Sequence, residues 1–294
     1  MIERDLRDIA SLSRTREIIK KYNLHLKKSL GQNFLTDANI LQKIVKVAKL
    51  DQATNVLEIG SGIGTLTEYL ARTAHQILTF EIDQQMFAVL TETLNLYPNV
   101  TVVNQDILKA DLKQETTKAF TNHLPLKVVA NLPYYVTTPI LMHLIKSELK
   151  IEQIVVMIQK EVAERISARP GSKAYGSLSI IVQYFMEAYV AFTVPKTAFI
   201  PQPKVDSAVL SLVKRQVPAV LLTDEKAFFR LIKAAFAMRR KTLWNNLVHA
   251  YGKDQKTQDK LLKALESSKI DSKRRAEALT IQEFAALSNA MVGG

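Results

Sequence analysis

The run Val56-Leu57-Glu58-Ile59 ends abruptly in Gly60-Ser61-Gly62-Ile63-Gly64, and a helical pattern follows directly. A short apolar β-type run closed by spaced glycines reads as strand, tight turn and helix. Glycines there let the chain reverse and let a ligand approach bare backbone at a helix N-terminus. The spacing is G-x-G-x-G, which differs from the G-x-G-x-x-G dinucleotide fingerprint. A P-loop is excluded, since no Gly-Lys-Ser/Thr follows.

The same alternation continues around this unit. Strands are expected at Asn55–Ile59, Ile77–Ile82, Val100–Asn104, Leu126–Ala130, Gln153–Ile158, Ser179–Tyr189 and Ala208–Lys214. Helices are expected at about Leu66–Ala74, Gln84–Leu96, Pro139–Ser147 and Lys160–Ala168. Thr36 or Asp37 can cap a further helix through about Leu50, with Ile40, Leu41, Ile44, Val45, Val47 and Ala48 at helical spacing. Strand–helix alternation implies a largely parallel sheet covered on both faces. The last two strands, with no convincing helix between them, suggest an antiparallel hairpin at one edge.

From Glu225 onward only helical signals remain. Phe228, Phe229, Leu231, Ile232, Ala235 and Phe236 share one face, Leu261, Leu262 and Leu265 another, and Thr280 with Glu283 forms a capping box. The expected organisation is a charged helical extension at 1–26 (its helix at 3–22), an α/β domain at 27–216, and a small all-helical domain at 217–294.

Composition narrows the function. The 294 residues include no cysteine, which rules out disulfides, a thiolate metal site and a cysteine nucleophile. The first residues, Met1-Ile2-Glu3-Arg4-Asp5, are charged where a secretory leader needs an apolar run. No stretch approaches the length of a membrane span, so a cytoplasmic protein is expected. The net charge of +12 is uneven. Residues 1–30 carry eight Lys/Arg against four Asp/Glu, residues 31–215 carry 18 against 16, and residues 216–294 carry 14 against eight. Positive ends flanking a near-neutral middle suit a polyanionic partner, nucleic acid first.

Two acids extend the glycine signal. Glu81, in Thr79-Phe80-Glu81-Ile82-Asp83, closes the second strand of the alternation, and Asp106, in Asn104-Gln105-Asp106-Ile107, follows the third. A carboxylate at the first place can accept both ribose hydroxyls, and one at the second can accept from an adenine amino group. Each alone is an ordinary strand-end acid. Three successive strand ends with suitable groups, at the edge where open α/β sheets bind ligands, point to an adenosine-containing cofactor. The glycine spacing, Gly60 and Gly62 included, favours S-adenosylmethionine over NAD.

Asn131-Leu132-Pro133-Tyr134 follows the fourth strand. The exocyclic amine of adenine is a poor nucleophile because its lone pair is delocalised into the ring. Hydrogen bonds from its two protons to the Asn131 side-chain oxygen and a neighbouring backbone carbonyl would localise that pair. Pro133 would stiffen the carbonyl, and Tyr134 offers a ring for an extruded base. No metal is required. Read alone, the segment is better taken as an Asn-x-Pro turn after a strand, and the glycine turn and two acids reverse that.

Together these residues resemble the ribosomal RNA adenine dimethyltransferases, most closely the bacterial small-subunit (16S), or KsgA/RsmA, branch. The resemblance runs from about Lys27 to Asn289. It rests also on Gly31-Gln32-Asn33-Phe34-Leu35, Gln159-Lys160-Glu161-Val162 and Lys173-Ala174-Tyr175-Gly176-Ser177-Leu178-Ser179. Phe199-Ile200-Pro201-Gln202-Pro203-Lys204-Val205-Asp206-Ser207-Ala208-Val209 and Arg239-Arg240-Lys241-Thr242 complete it. It implies a Rossmann-like S-adenosylmethionine-dependent methyltransferase sheet with a small helical C-terminal domain. It implies further that Asn33, Leu35, Gly60, Glu81, Asp106 and Asn131 enclose the cofactor, and that Leu132 and Pro133 shape the pocket. Tyr134 would stack on the adenine and Phe199 would close its other face.

By the same likeness, the substrate is a pair of adjacent adenosines in a hairpin loop near the 3′ end of 16S rRNA, in an immature small subunit. Each would be dimethylated on N6 by an enzyme of ribosome biogenesis, and the absence of an obvious self-association stripe in the sequence favours a monomer. Lys27, Lys28, Arg239, Arg240, Lys241, Arg274 and Arg275 suit backbone contact with that RNA, although any basic pair is also an ordinary solvated face. The nearest rivals are the macrolide-resistance enzymes that methylate a large-subunit (23S) adenosine, and a non-catalytic assembly factor that binds RNA. Leu132 and the Pro201-to-Ser207 run look more like the small-subunit enzyme. An intact Glu81, Asp106 and Asn131-to-Tyr134 exceed what RNA binding alone needs.

Overall fold

The computed structural model describes residues 7–27 and 30–293. Its strands are β1 (Phe34–Leu35), β2 (Asn55–Ile59), β3 (Gln76–Phe80), β4 (Val100–Val103), β5 (Leu126–Asn131), β6 (Ile151–Gln159), β7 (Met186–Val194), β8 (Phe199–Ile200) and β9 (Ser207–Lys214). The helices are α1 (Leu12–Lys21), α2 (Ala38–Val47), α3 (Thr65–Ala71), α4 (Gln84–Thr93), α5 (Leu112–Ala119) and α6 (Thr137–Lys146). They continue with α7 (Lys160–Ile166), α8 (Ser177–Phe185), α9 (Glu225–Ala235), α10 (Leu243–Tyr251), α11 (Gln255–Ser267) and α12 (Ile281–Gly293).

Seven strands form one sheet in the order β4-β3-β2-β5-β6-β9-β7. β2 lies between β3 and β5, parallel to both, and each of its residues is buried. That is the pattern of a strand covered on both faces, where a continuous apolar run replaces alternation. The ladder stays parallel out to β6, which then pairs antiparallel with β9 from Gln153↔Val213 to Gln159↔Ser207. A separate two-stranded ribbon pairs Phe34 with Ile200 and Leu35 with Phe199. Asp37 caps α2, accepting from the Asn39 N–H at 2.9 Å. Ile40, Leu41 and Ile44 then join Val56, Ile77, Val129 and Val155 in the core of the sheet.

The chain divides into two compact units. One holds the residues through Ala163 together with Tyr189–Lys214, and the other holds Glu164–Ala188 together with the residues from Arg215 on. The helical unit thus draws in a segment that the sequence-based boundary at 216–217 assigned to the α/β domain. The reason lies in its apolar residues. Ala168, Tyr175, Ile180 and Tyr184 share a core with Phe228, Leu231, Ile232, Leu247, Leu265 and Phe284.

That packing also corrects the strand expected at Ser179–Tyr189, whose first part is helix α8. Ser179 accepts from the Gly176 N–H at 3.0 Å and donates to the Arg165 carbonyl, and Ile180 and Tyr184, four residues apart, are buried. A short apolar run rich in β-branched residues does not reveal its period, and here tertiary burial decided. The strand proper is β7, displaced toward the C-terminus. α5 was not among the expected helices, because LKQETTKA buries only Leu112 and Thr116 and shows little apolar stripe. The helix expected at 3–22 starts only at Leu12 within the described residues, capped by Ser11. In α11, Leu261 and Leu265 are buried whereas Leu262 faces solvent. The Thr280–Glu283 capping box is present: Glu283 N–H donates to the Thr280 hydroxyl, and Thr280 N–H to the Glu283 carboxylate.

Candidate active site

The carboxyl ends of β2, β3 and β5 converge on one open cleft of about 710 Å³, whose lining includes Asn33, Phe34, Gly60, Ser61, Gly62, Glu81, Asn131, Leu132, Pro133 and Tyr134. A second hollow of about 570 Å³ shares Gly60, Ile82, Pro133 and Tyr135 with the first and adds Asp106 at the end of β4.

Local sequence explains the cleft floor. Gly60, Gly62 and Gly64 all have positive φ, +76°, +58° and +94°, which side chains with a Cβ resist. Gly62 is also crowded, since a Cβ there would lie 2.9 Å from the Phe34 ring. The turn delivers the Gly62 N–H to Glu81 Oε2 at 2.8 Å, while Oε1 accepts from the Asp83 N–H at 2.8 Å. Glu81 is only 5% exposed, and burial pushes its carboxyl above the usual range while the backbone donors pull it back. A carboxylate has about four acceptor sites, so each oxygen keeps room for a ligand hydroxyl.

Asp106 stands differently. Its Oδ1 accepts from the Leu108 N–H at 3.0 Å in a local turn, and Oδ2 is left for a ligand donor. Around it Ile82, Ile107, Leu108, Val136 and Ile140 make an apolar slot. Sequence reasoning missed those walls, along with Phe34, Ser61 and Tyr135, because isolated apolar residues carry no signal of which cavity they line. Ser61 is buried, and among the described residues its hydroxyl has no partner. An apolar slot ending in a carboxylate, beside a second carboxylate and an unsatisfied hydroxyl, fits an adenosine-bearing cofactor.

Asn131 ends β5 at the junction of these parts. Its Nδ2 donates to the Asn33 carbonyl at 3.1 Å, which leaves Oδ1 as the acceptor the amide presents. Asn33 in turn donates to the Gly31 carbonyl at 2.9 Å. Leu132 is buried and tied by its N–H to the Met157 carbonyl at 3.1 Å. The Pro133 carbonyl accepts from the Thr137 hydroxyl at 3.1 Å. The Tyr134 hydroxyl meets Ser207 Oγ at 2.6 Å, which pins the ring at the cleft, and burial raises its pKa.

Leu35 and Phe199 stand elsewhere. They face each other in the β1–β8 ribbon within the core of the sheet and are absent from the lining of both hollows. Both are buried.

The basic residues divide as well. Lys27 donates to Asp83 Oδ1 at 3.1 Å, and Gln32 donates to Oδ2 at 2.8 Å, so Lys27 ties the loop before β1 to a buried acid. Arg274 is held by Glu283 and by the Ala278 carbonyl, which buttresses the start of α12. Arg240 and Lys241 are exposed. Arg239 donates to the Lys173 carbonyl, and both it and Arg275 lie 4.0 Å from Glu277, with more than half of each side chain exposed. Lys28 lies outside the described residues. Among those residues, no cluster of His, Asp and Glu could hold a metal ion, and no helix is long and apolar enough to cross a membrane.

Comparison with known proteins places this geometry in a family. The model for ribosomal RNA adenine dimethylases matches residues 23–290. A ribosomal RNA small subunit methyltransferase A from Enterococcus faecalis is 60% identical over 287 residues, 98% of this chain and 97% of that protein. One from Streptococcus pneumoniae is 55% identical over 285 residues, 97% of this chain and 98% of that protein. Among crystal structures, a dimethyladenosine transferase from Plasmodium falciparum matches with a TM-score of 0.71 at 28% identity, covering 86% of this chain and 95% of that one. The 23S rRNA methyltransferase ErmE matches at 0.67 and 25% identity, covering 88% and 99%. The glycine turn, the two strand-end acids and the Asn-Leu-Pro-Tyr segment thus belong to a member of the ribosomal RNA adenine dimethylase family.

Proposed function

We propose that this chain transfers methyl groups from S-adenosylmethionine to N6 of two adjacent adenosines, in the hairpin loop near the 3′ end of 16S rRNA. The substrate is the RNA within an immature small subunit, and the enzyme works as a monomer in the cytoplasm. The observation that carries the reading is the oriented amide of Asn131, whose Oδ1 remains an acceptor because Asn33 takes its Nδ2.

When bound, S-adenosylmethionine supplies an electrophilic methyl on a sulfonium. Glu81 would accept the ribose hydroxyls of the bound cofactor, and Asp106 would accept from its adenine amine. The target N6 donates one proton to Asn131 Oδ1 and the other to the Leu132 carbonyl, which draws the nitrogen lone pair out of the ring. Tyr134, immobilised by Ser207, stacks on the extruded base. Exposed Arg239, Arg240, Lys241 and Arg275 contact phosphates, while Lys27 and Arg274 serve chiefly as internal ties. Dimethylation requires the cleft to readmit a monomethylated amine, which its open form allows. The large-subunit reading is the weaker, because likeness to the 23S enzyme is 25% against 60% and 55% for relatives named for the small subunit.

Asn131→Ala tests this directly. Methyl transfer should fall by a factor on the order of 10³, the scale of losing one oriented hydrogen-bonding group, while small-subunit affinity stays within about twofold. Transfer near the wild-type rate would remove the acceptor and with it the reading.

A further inference from the structure

The family match begins at residue 23, yet the described residues before it, 7–22, are firmly built into the first unit. Asp8 accepts from the Tyr69 hydroxyl at 2.6 Å and pairs with Arg72 at 2.9 Å. The Ile9 N–H donates to Glu68 Oε2 at 2.8 Å, and Glu68 Oε1 accepts from Arg72 at 2.8 Å and from the Tyr97 hydroxyl at 2.9 Å. Glu68, Tyr69 and Arg72 lie on α3 or at its end, and Tyr97 follows α4. Lys21 and Tyr22, at the other end of α1, donate to Glu92 on α4. Between them Ile9, Ile18 and Leu24 share one apolar cluster with Phe34, Ile63, Met86, Val89, Leu90 and Leu94.

The elements gripped in this way are the supports of the cleft. α3 starts directly after the glycine turn, and α4 starts three residues after Glu81. Phe34 lines the cleft and lies against Gly62. The 2.8 Å bond between the Gly62 N–H and Glu81 therefore joins two turns whose following helices are held by the same N-terminal segment. Of the cations near this segment, Arg7 and Arg14 pair with Glu17 and Lys21 pairs with Glu92, while Arg16 and Lys20 are exposed.

We propose that residues 8–26 are a positioning element for the cofactor, clamping α3 to α4 and backing Phe34 against Gly62. On this account the affinity for S-adenosylmethionine depends on a segment that does not touch it. The proposal rests on placing the cofactor in this cleft, so its test carries a control for that placement.

The experiment uses the full chain with Asp8→Ala, Ile18→Ala and Asp8→Asn, and Glu81→Ala as the control. S-adenosylmethionine binding is measured by calorimetry, together with KM, kcat and small-subunit affinity. For Asp8→Ala and Ile18→Ala, Kd and KM for the cofactor should rise roughly five- to tenfold, the effect of one or two lost interactions. Both kcat at saturating cofactor and subunit affinity should stay within about twofold. Asp8→Asn keeps an acceptor for Tyr69 and loses only a half-exposed ion pair, so its cofactor affinity should stay within about twofold of wild type. Should Ile18→Ala fail to fold, Asp8→Ala at the surface still decides the matter. Unchanged cofactor affinity in the clamp variants, with binding lost in Glu81→Ala, would overturn the clamp alone. Retained binding in Glu81→Ala would move the cofactor out of this cleft and overturn both ideas. Weakened subunit binding at unchanged cofactor affinity would make the segment an RNA arm.

Discussion

The cleft at the strand ends and the basic cluster of the helical unit serve the same RNA substrate in the proposed reaction, yet they are built in opposite ways. In the cleft the groups assigned to the reaction are held by neighbours: Glu81 by two backbone N–H groups, Asn131 by the Asn33 carbonyl, Tyr134 by Ser207. In the cluster Arg240 and Lys241 are exposed, and Arg239 and Arg275 reach Glu277 only at 4.0 Å. The difference follows from the tasks. Activating an amine needs acceptors fixed before the base arrives, whereas phosphate contact needs charge at the surface and tolerates mobility. A single change in the cleft should therefore act sharply, and a single change in the cluster should act weakly.

Gly62→Ala sharpens this contrast most. The left-handed backbone at +58° and the Phe34 ring 2.9 Å away leave no room for the methyl. Strain and overpacking together should cost about 2–5 kcal/mol. The variant should show a lowered melting temperature and a loss of S-adenosylmethionine binding by calorimetry. Unaltered binding would mean that the turn is looser than its geometry.

Next in size is a pH effect behind the same turn. Glu58, on β2, is 1% exposed and accepts from the Thr67 hydroxyl at 2.7 Å, and burial pushes its carboxyl up to about 7. Its folded pKa lies above the ordinary value of 4.5, so between pH 4.5 and 7 the folded state holds more protons than the unfolded chain. The stability this group contributes is complete below pH 4.5 and is lost as pH rises through about 7. The full shift corresponds to about 3 kcal/mol. Glu58→Gln should leave stability at pH 4.5 nearly unchanged and exceed wild type at pH 8, in denaturant titrations at both pH values. Parallel stability curves for the two proteins would refute the burial argument.

The smallest effect per residue is expected in the cluster. Reversing charge at Arg239, Arg240 and Lys241 together should weaken small-subunit binding and flatten the slope of log affinity against log salt. The slope should change by up to about 0.7–0.9 for each phosphate that the protein no longer neutralises. An unchanged slope would show that these residues form an ordinary solvated face.

The same contrast governs what could be read in advance. The strand ends were legible because glycine spacing, strand period and acid position are local signals, and Gly60, Gly62, Glu81, Asp106 and Asn131 all line the two hollows. Long-range partnership was not legible. Lys27 and Arg274 look like RNA contacts in sequence, but Asp83 lies 56 residues from the first and Glu283 nine from the second. Leu35 and Phe199 were indistinguishable from core residues, and the core is where they pack. The Ser177–Phe185 helix was not legible, because its apolar run suits a buried strand equally well, and only the aromatic core of the helical unit separates the two.

The most direct test of the central claim supplies labelled S-adenosylmethionine to undermethylated small subunits, with large subunits in parallel. The expected result is label at N6,N6-dimethyladenine on two adjacent positions near the 3′ end of 16S rRNA, and none in the large subunit. Label in the large subunit, or tight small-subunit binding with no transfer at all, would contradict it.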